Sequence, residues 1–259
     1  MRLDVYLAES GKARSRARAK ELIDSGCVTV DGRVVTKPSF DLSVGEHDVT
    51  VFDELPYVSR GGLKLEAALK CFEMDVSGMR ALDIGASTGG FTDCLLQLGA
   101  TSVCAVDAGQ GQLVEKLKND PRVRSFERMN ARELKPLDVG GRFDLIVMDV
   151  SFISATYILP RFSELLEPMG EAVVLIKPQF EGGRAMLGKG GIVRDPAAHR
   201  VAIDRVFEAA RASGLTPIGL TVSPVEGGDG NREFLVRLIN SMHDTRKISH
   251  EAVMRVVRN

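Results

Sequence analysis

The chain lacks three features that would narrow its class at once. Its four cysteines, Cys27, Cys71, Cys94 and Cys104, form no CxxC pair and have no nearby histidine pair, so neither a zinc site nor a disulfide scaffold is expected. No uninterrupted apolar run approaches the roughly 18 residues that a membrane helix needs. Net charge is almost absent: 34 basic residues meet 35 acidic ones. The opening Met1-Arg2-Leu3-Asp4 does not start an apolar signal segment, and the expectation is a cytoplasmic protein with free thiols. What is present is an ordinary globular composition, 44% hydrophobic and 27% charged over 259 residues. A chain of that length buries roughly 70–75% of its unfolded surface and needs no metal or cross-link to hold a core. One large domain or two unequal ones are expected.

Balanced overall charge conceals a local excess. Ala13 to Ile23 reads as a helix: Ser15 suits an N-cap, and Ala19, Leu22 and Ile23 fall at the spacing of a buried stripe. Arg14 and Arg18 are expected on one face and Arg16 and Lys20 on another, with few intervening acids. Cys27 to Val35, with β-branched residues around Asp31-Gly32, reads as a hairpin. A helix-helix-hairpin module ending near Asp53 is therefore expected to bind nucleic acid, the alternative being a solvated basic helix. Arg2-Leu3-Asp4, the Ser15-Arg16 helix entry, Leu22-Ile23 and Val28 to Gly32 resemble the RNA-binding domain of ribosomal protein S-four. That resemblance implies a structured RNA partner, recognised by shape more than by bases.

Composition changes after Pro56. Residues 54–60 are expected as linker, 61–245 as a second domain and 246–259 as a tail helix. Helices over Gly62–Phe72, Gly90–Leu98, Gln112–Lys118, Tyr157–Leu166 and Ala197–Ser213 alternate with strands at Ala81–Ile84, Ser102–Val106, Val123–Phe126, Asp144–Met148 and Ala172–Ile176. This alternation predicts an α/β, mostly parallel, doubly wound sheet. Strands at Leu215–Val222 and Glu233–Leu238 have no helix between them, so the last is expected to be antiparallel.

Between the first strand and its helix lies Asp83-Ile84-Gly85-Ala86-Ser87-Thr88-Gly89-Gly90-Phe91. A loop and helix N-terminus at the carboxyl edge of an open sheet is where ligands bind. Ser87 stands where a dinucleotide fingerprint needs glycine. Asp83 suits a ligand bearing an ammonium group, and Asp107, ending the next strand, suits ribose hydroxyls. S-adenosylmethionine carries both features, while a dinucleotide or a purely structural turn remains the alternative. The expected cofactor contacts are Asp83, Gly85, Ala86, Ser87, Gly89, Gly90, Phe91, Asp107 and Asn130, with Gly85 and Gly89 allowing close backbone approach. Gly183 to Lys189 imitates a phosphate loop, but Gly190 replaces the Ser or Thr that would hold magnesium. It is expected instead to be a mobile basic loop beside the active edge.

Four ionisable residues fall at the same edge: Asp149 and Lys177 at strand ends, Glu233 at a strand start, and Lys64 near the start of a helix. A lysine ending an apolar strand is partly desolvated, which favours a neutral amine, whereas flanking carboxylates favour the ammonium. Around these residues lie Tyr57 to Leu65, Asp83 to Phe91, Asp149 to Ile153, Lys177 to Phe180, Gly188 to Pro196 and Ser223 to Phe234. In these stretches the chain resembles the TlyA family of ribosomal RNA methyltransferases, over essentially its whole length. The resemblance implies a Rossmann-like, FtsJ-type methyltransferase domain and a Lys-Asp-Lys-Glu tetrad at Lys64, Asp149, Lys177 and Glu233. It implies methylation of a cytidine 2′-hydroxyl in ribosomal RNA, with some members acting on the small-subunit RNA alone and others on both subunits. RNA contacts are assigned to Arg2, Arg14, Arg16, Arg18, Lys20, Arg60 and Lys189. No metal is needed, and His47, His199, His243 and His250 receive no role. Two rivals stay open: a non-catalytic RNA-binding assembly factor, and a cytolysin, since members have also been named haemolysins. Against the latter, Ile248 to Val257 is read as weakly amphipathic and too short to span.

Overall fold

The computed structural model describes residues 1–42, 47–52, 56–183, 186–227, 230–242 and 244–258, with the backbone alone at residue 189. Two compact units are present, Met1–Arg60 and Gly61–Asn259.

In the first unit, helices α1 (Leu3–Glu9) and α2 (Arg16–Asp24) precede strands β1 (Val28–Val30), β2 (Arg33–Val34) and β3 (Val49–Val51). Ser15 caps α2 by accepting from the Arg18 amide at 3.2 Å, and Ala19, Leu22 and Ile23 form the buried stripe. Asp31 and Gly32 both adopt positive φ, the geometry of a tight hairpin turn, and pair β1 with β2. β3 pairs on the other side of β1, an addition to the expected hairpin, because its three residues are too short for an alternation signal. A core built around Leu3, Leu7, Ile23 and Val28 results.

The second unit runs α3 (Gly61–Cys71), β4 (Arg80–Ile84), α4 (Gly90–Gln97), β5 (Ser102–Val106), α5 (Glu115–Lys118), β6 (Val123–Phe126), α6 (Pro136–Val139), β7 (Phe143–Met148), α7 (Phe162–Leu165), β8 (Leu166–Ile176), α8 (Pro178–Glu181), α9 (Pro196–Ala212), β9 (Thr216–Val222), β10 (Phe234–Ile239) and α10 (His250–Arg258). Among the described residues the strand order is β6-β5-β4-β7-β8-β10-β9, parallel except that β10 is antiparallel to both β8 and β9. The apolar runs of β4, β7 and β8 are buried because the sheet is covered on both faces. The order reverses between β4 and β7, and that reversal opens a crevice at their carboxyl ends.

Three local expectations are corrected. The helix expected at 157–166 is two 3₁₀ turns, Ala155–Tyr157 and Leu159–Arg161, then the short α7, since Pro160 removes a backbone donor. The helix expected from Gln112 begins only at Glu115, with Gly109 and Gly111 close ahead of it. The tail is strongly rather than weakly amphipathic. Val253 and Val257, one turn apart, are 3% and 1% exposed within the main core, each contributing about 1.5–3 kcal/mol by burial. Arg232 donates to the carbonyls of Val256 and Val257, holding the carboxyl end of α10 down.

Candidate active site

At the strand reversal, the loop after β4 meets the end of β7. Gly85 (φ +82°) is required there by the protein itself: a Cβ would strike the Asp149 carbonyl. Gly89 (φ +102°) is likewise crowded by Leu113 and Leu117. Both glycines are thus required by neighbouring chain, and Gly85 also lines a cavity over this loop. Ser87 adopts φ +49°, which turns its amide onto the Asp107 carboxylate at 2.8 Å, and the Gly109 amide takes the other oxygen at 2.7 Å. Each carboxylate oxygen has more than one lone pair, so Asp107 keeps acceptor capacity.

A cavity of about 410 Å³ lies over this loop, within the size range of small-molecule sites. Gly85, Ser87, Asp107 and Asn130 of the expected cofactor contacts line it, and so does Asp149. Ala86, Gly89, Gly90 and Phe91 do not; Phe91 is 3% exposed and turned into the core. Val150 to Ile153, Ile158, Met129 and Gln112 also line the cavity and received no cofactor role from the sequence. Val150 to Ile153 fall in a quoted motif, but for Gln112 no local signal exists.

Asp83 is fully buried behind the loop. Its Oδ2 accepts from the Thr92 hydroxyl at 2.6 Å, and Oδ1 has no partner among the described residues. Burial raises its carboxyl to about 7, with Thr92 partly opposing. A buried carboxylate with an orphan oxygen fits a ligand that brings positive charge, and the Asp107 acceptors fit hydroxyls. These donor and acceptor types match the amino group and ribose of S-adenosylmethionine.

The four ionisable residues form two ion pairs. Lys177 Nζ lies 2.6 Å from Asp149 Oδ1 and donates to Ser151 Oγ at 2.7 Å. Lys64 Nζ, reaching from α3, donates to Glu233 Oε2 at 2.6 Å. Phe234 pairs with Ile176 in the β10–β8 ladder, so continuing that antiparallel register by one residue sets Glu233 opposite Lys177. Lys64, Lys177 and Glu233 are all buried. Burial pushes the Glu233 carboxyl up, against the lowering by Lys64 and Lys177. The turn before β10 is shaped around this carboxylate: a Cβ on Gly227 would sit 2.6 Å from Glu233 Oε1. Asn231, fully buried, accepts from the Val193 amide and donates to the Gly191 carbonyl, tying the glycine-rich segment to the same turn. Arg184, Ala185, Gly228, Asp229, His243 and the side chain of Lys189 lie outside the described residues, as do Asp53 to Leu55 of the expected linker.

Beside the cavity Phe152 adopts φ +66° and is 92% exposed, its ring 5.5 Å from that of Phe180. It thus presents a free aromatic face on a backbone conformation that a bulky residue rarely adopts. It borders both the 410 Å³ cavity and a wider cleft of about 940 Å³ that Tyr157, Gln179 and Arg205 also line.

In the first unit the basic residues divide. Arg2 and Arg16 both bind Asp4, at 2.9 and 2.8 Å, and hold its carboxyl down at about 2. Arg18 pairs with Glu21. Arg14 precedes α2 and so does not share a helix face with Arg18. Arg14 and Lys20 are exposed and have no ion pair among the described residues. Arg60 lies over Gly26. The expected acid-poor helix therefore carries acids after all: Asp4 reaches it from α1 and Glu21 from its own next turn.

Strand order, switch-point cavity and paired strand-end charges define the second unit as a methyltransferase: the FtsJ-like methyltransferase family matches residues 57–239, and the S4 domain matches residues 1–48. The chain is 44% identical over 238 residues to the 16S/23S rRNA (cytidine-2′-O)-methyltransferase TlyA of Mycobacterium tuberculosis, covering 92% of this chain and 89% of that one. It is 30% identical over 260 residues to the 23S rRNA (cytidine-2′-O)-methyltransferase TlyA of Campylobacter jejuni, covering 93% and 100%. A solved structure of a hemolysin-named protein from Streptococcus thermophilus aligns with TM-score 0.77 and 42% identity, over 100% of this chain and 94% of that chain. The chain belongs to the TlyA family of rRNA methyltransferases. The Campylobacter relative is named for 23S rRNA alone, so single-subunit members are not confined to the small subunit as the resemblance implied.

Proposed function

We propose that this protein uses S-adenosylmethionine to methylate the ribose 2′-hydroxyl of a cytidine in ribosomal RNA. The observation that carries the reading is the pairing of Lys177 with Asp149, which lines the switch-point cavity, together with the pairing of Lys64 with Glu233, which lies opposite Lys177 across the β8–β10 ladder. Bound in that cavity, the cofactor supplies an activated methyl group on a sulfonium. Asp107, Ser87 and Asn130 would hold its adenosine part, and the unpartnered oxygen of Asp83 its positive end. A ribose hydroxyl is a poor nucleophile near neutral pH; Lys177 takes or polarises its proton while Asp149 orients the amine. Lys64 adds positive charge near the developing alkoxide and is held by Glu233. To reach these groups the nucleotide must leave its stack, and the exposed Phe152 ring offers a face for the displaced base. Transfer of tritiated methyl from S-adenosylmethionine to isolated ribosomal subunits tests the reaction. Mapping of the modified nucleotide then tests the hydroxyl and base; label on a base atom would refute the ribose assignment. No helix among the described residues is long and apolar enough to cross a membrane.

Cofactor affinity is expected to depend on pH through Asp83. Its carboxyl, held near 7 by burial, ionises as pH rises, so affinity for an ammonium-bearing ligand climbs through about pH 7. It falls again once the ligand's own amine, ordinarily about 7.7–8.0, loses its proton. Without ligand the sign is the reverse for stability: a carboxyl raised from 3.8 destabilises the fold increasingly as pH climbs towards 7. Asp83→Asn removes the ascending limb, and Asp107→Ala weakens binding by about 1–2 kcal/mol at every pH. Calorimetric titration from pH 5.5 to 9 measures both; a flat parental profile refutes the Asp83 contact.

The first unit is proposed to dock on rRNA through residues 1–53, followed by a linker at 54–60, the methyltransferase domain at 61–245 and the tail at 246–259. Arg14→Gln with Lys20→Gln is expected to flatten the dependence of subunit binding on salt. Roughly 0.7 to 0.9 is lost from the logarithmic slope per phosphate contact. Arg16→Gln should in addition lower the melting temperature, because Asp4 is buried and loses a partner. An unchanged slope in the double variant would make α2 a solvated face only.

A further inference from the structure

We infer that Ser151 is a positioning residue for methyl transfer, its hydroxyl acting with the Asp149 carboxylate to aim the free valence of the Lys177 amine at the substrate hydroxyl. The inference rests on the reading of Lys177 as the group that takes the 2′ proton.

A lysine amine sits on four rotatable bonds and can turn about its last one. A single partner leaves the nitrogen free to swivel about the contact. Two partners in different directions fix it, because the substituents of a tetrahedral nitrogen are staggered. Lys177 has two: it donates a hydrogen bond to Ser151 Oγ at 2.7 Å and forms an ion pair with Asp149 Oδ1 at 2.6 Å, a contact outside hydrogen-bond geometry, so Ser151 is the partner that sets the direction of an N–H. No third hydrogen-bond or ion-pair partner is found among the described residues, although the Glu233 carboxylate faces Lys177 across the β8–β10 ladder, and one direction is left for a substrate. In the neutral amine that direction holds the lone pair.

The backbone places Ser151 for this task. β7 ends at Met148, the Asp149 amide is held by the Ile84 carbonyl at 3.0 Å, and the left-handed turn at Phe152 (φ +66°) reverses the chain directly afterwards. Ser151 and Asp149 both border the 410 Å³ cavity, so the lysine is gripped from the side on which a cofactor would lie. The chemistry of the side chain also matters. A second carboxylate at 151 would orient the amine but stabilise the ammonium, opposing loss of the proton. A hydroxyl accepts from Lys177 without adding charge and retains its own hydrogen to donate into the cavity.

The test is single-turnover methyl transfer by the full-length protein to ribosomal subunits, with saturating S-adenosylmethionine, across pH 6 to 10. Ser151→Ala is expected to lose about 10- to 100-fold in rate, as a reacting group swings out of line. Subunit affinity should stay within about twofold of the parent, since a residue acting through another leaves the ground state intact. Saturating cofactor keeps any change in its affinity out of the rate, because Ser151 also lines the cavity. The ascending limb of its rate–pH profile should move to lower pH, because an acceptor for the ammonium form has gone. Ser151→Thr, which keeps the oxygen, should recover most of the rate. A parental rate in Ser151→Ala overturns the inference, as does a loss that leaves the limb in place, or a Thr variant no faster than the Ala variant. Lys177→Ala measured alongside separates the two levels. If it is inactive while Ser151→Ala is parental, only the positioning role fails. If Lys177→Ala turns over normally, the reading of the base fails first.

Discussion

Lys177→Ala is expected to bind S-adenosylmethionine and subunits nearly as the parent does and to lose on the order of 10²- to 10⁴-fold in the rate of methyl transfer. The asymmetry follows from when the side chain acts. Its proton is gained as the hydroxyl is activated, so its contribution belongs to the transition state and not to either binding step. Truncation also releases Asp149 from its ion pair, but Asp149 borders an open cavity and can be hydrated. The fold should therefore survive. Asp149→Ala should approach the same severity, with some loss of cofactor affinity because Asp149 also lines the cavity. Single-turnover rates at saturating cofactor and subunit, with melting temperatures for each variant, make the measurement. Near-parental turnover by a folded Lys177→Ala protein would remove this residue from the mechanism.

Lys64→Ala should lose activity sharply and also stability, and the second effect distinguishes it from Lys177→Ala. Glu233 is 2% exposed, and its 2.6 Å bond to Lys64 is its shortest-range compensation. Removing one partner of a buried pair leaves an uncompensated charge and typically costs about 3–5 kcal/mol. Replacing both, as Lys64→Met with Glu233→Leu, should recover much of that stability while activity stays lost. Activity losses in the double Ala variant should fall short of the product of the singles, since the two residues act as a unit. Denaturant unfolding together with single-turnover assays checks both. If Lys64→Ala proves as stable as the parent, the pair is not the buried contact described.

Much of this architecture could be read along the chain. β5 and β6 fall on their expected residues, Ser15 caps α2 as its hydroxyl suggested, and Asp31-Gly32 turns the hairpin. Those features depend on short-range rules: alternation, capping and left-handed turn chemistry, all expressed within a few residues. Where the reading strayed, contacts from far along the chain intervened. The tail looked weakly amphipathic in isolation, yet Val253 and Val257 meet a core assembled from residues 82 to 238. The basic helix looked poor in intervening acids because Asp4, which binds Arg16, lies twelve positions away on another helix.

The site divides in the same way. That Asp107, Asp149 and Lys177 stand just past strand ends is a consequence of local sequence, because each follows an apolar run of strand length, while Asp83 lies within β4 one residue before its end. Residue order also dictated that the second glycine of a dinucleotide fingerprint is missing. Pairing was beyond its reach: Lys64 finds Glu233 169 positions away, and Glu233 faces Lys177 only because β10 inserts antiparallel beside β8. Burial was beyond it too. Asp83 lies behind its loop with one oxygen unpartnered, and Gly85 is needed for the Asp149 carbonyl, since packing of β4 against β7 brings those backbones together. Strand register and helix docking are set by the sum of many weak contacts between distant segments, and it is these that turned charges scattered along the chain into two specific ion pairs, one of them reaching the cavity through Asp149.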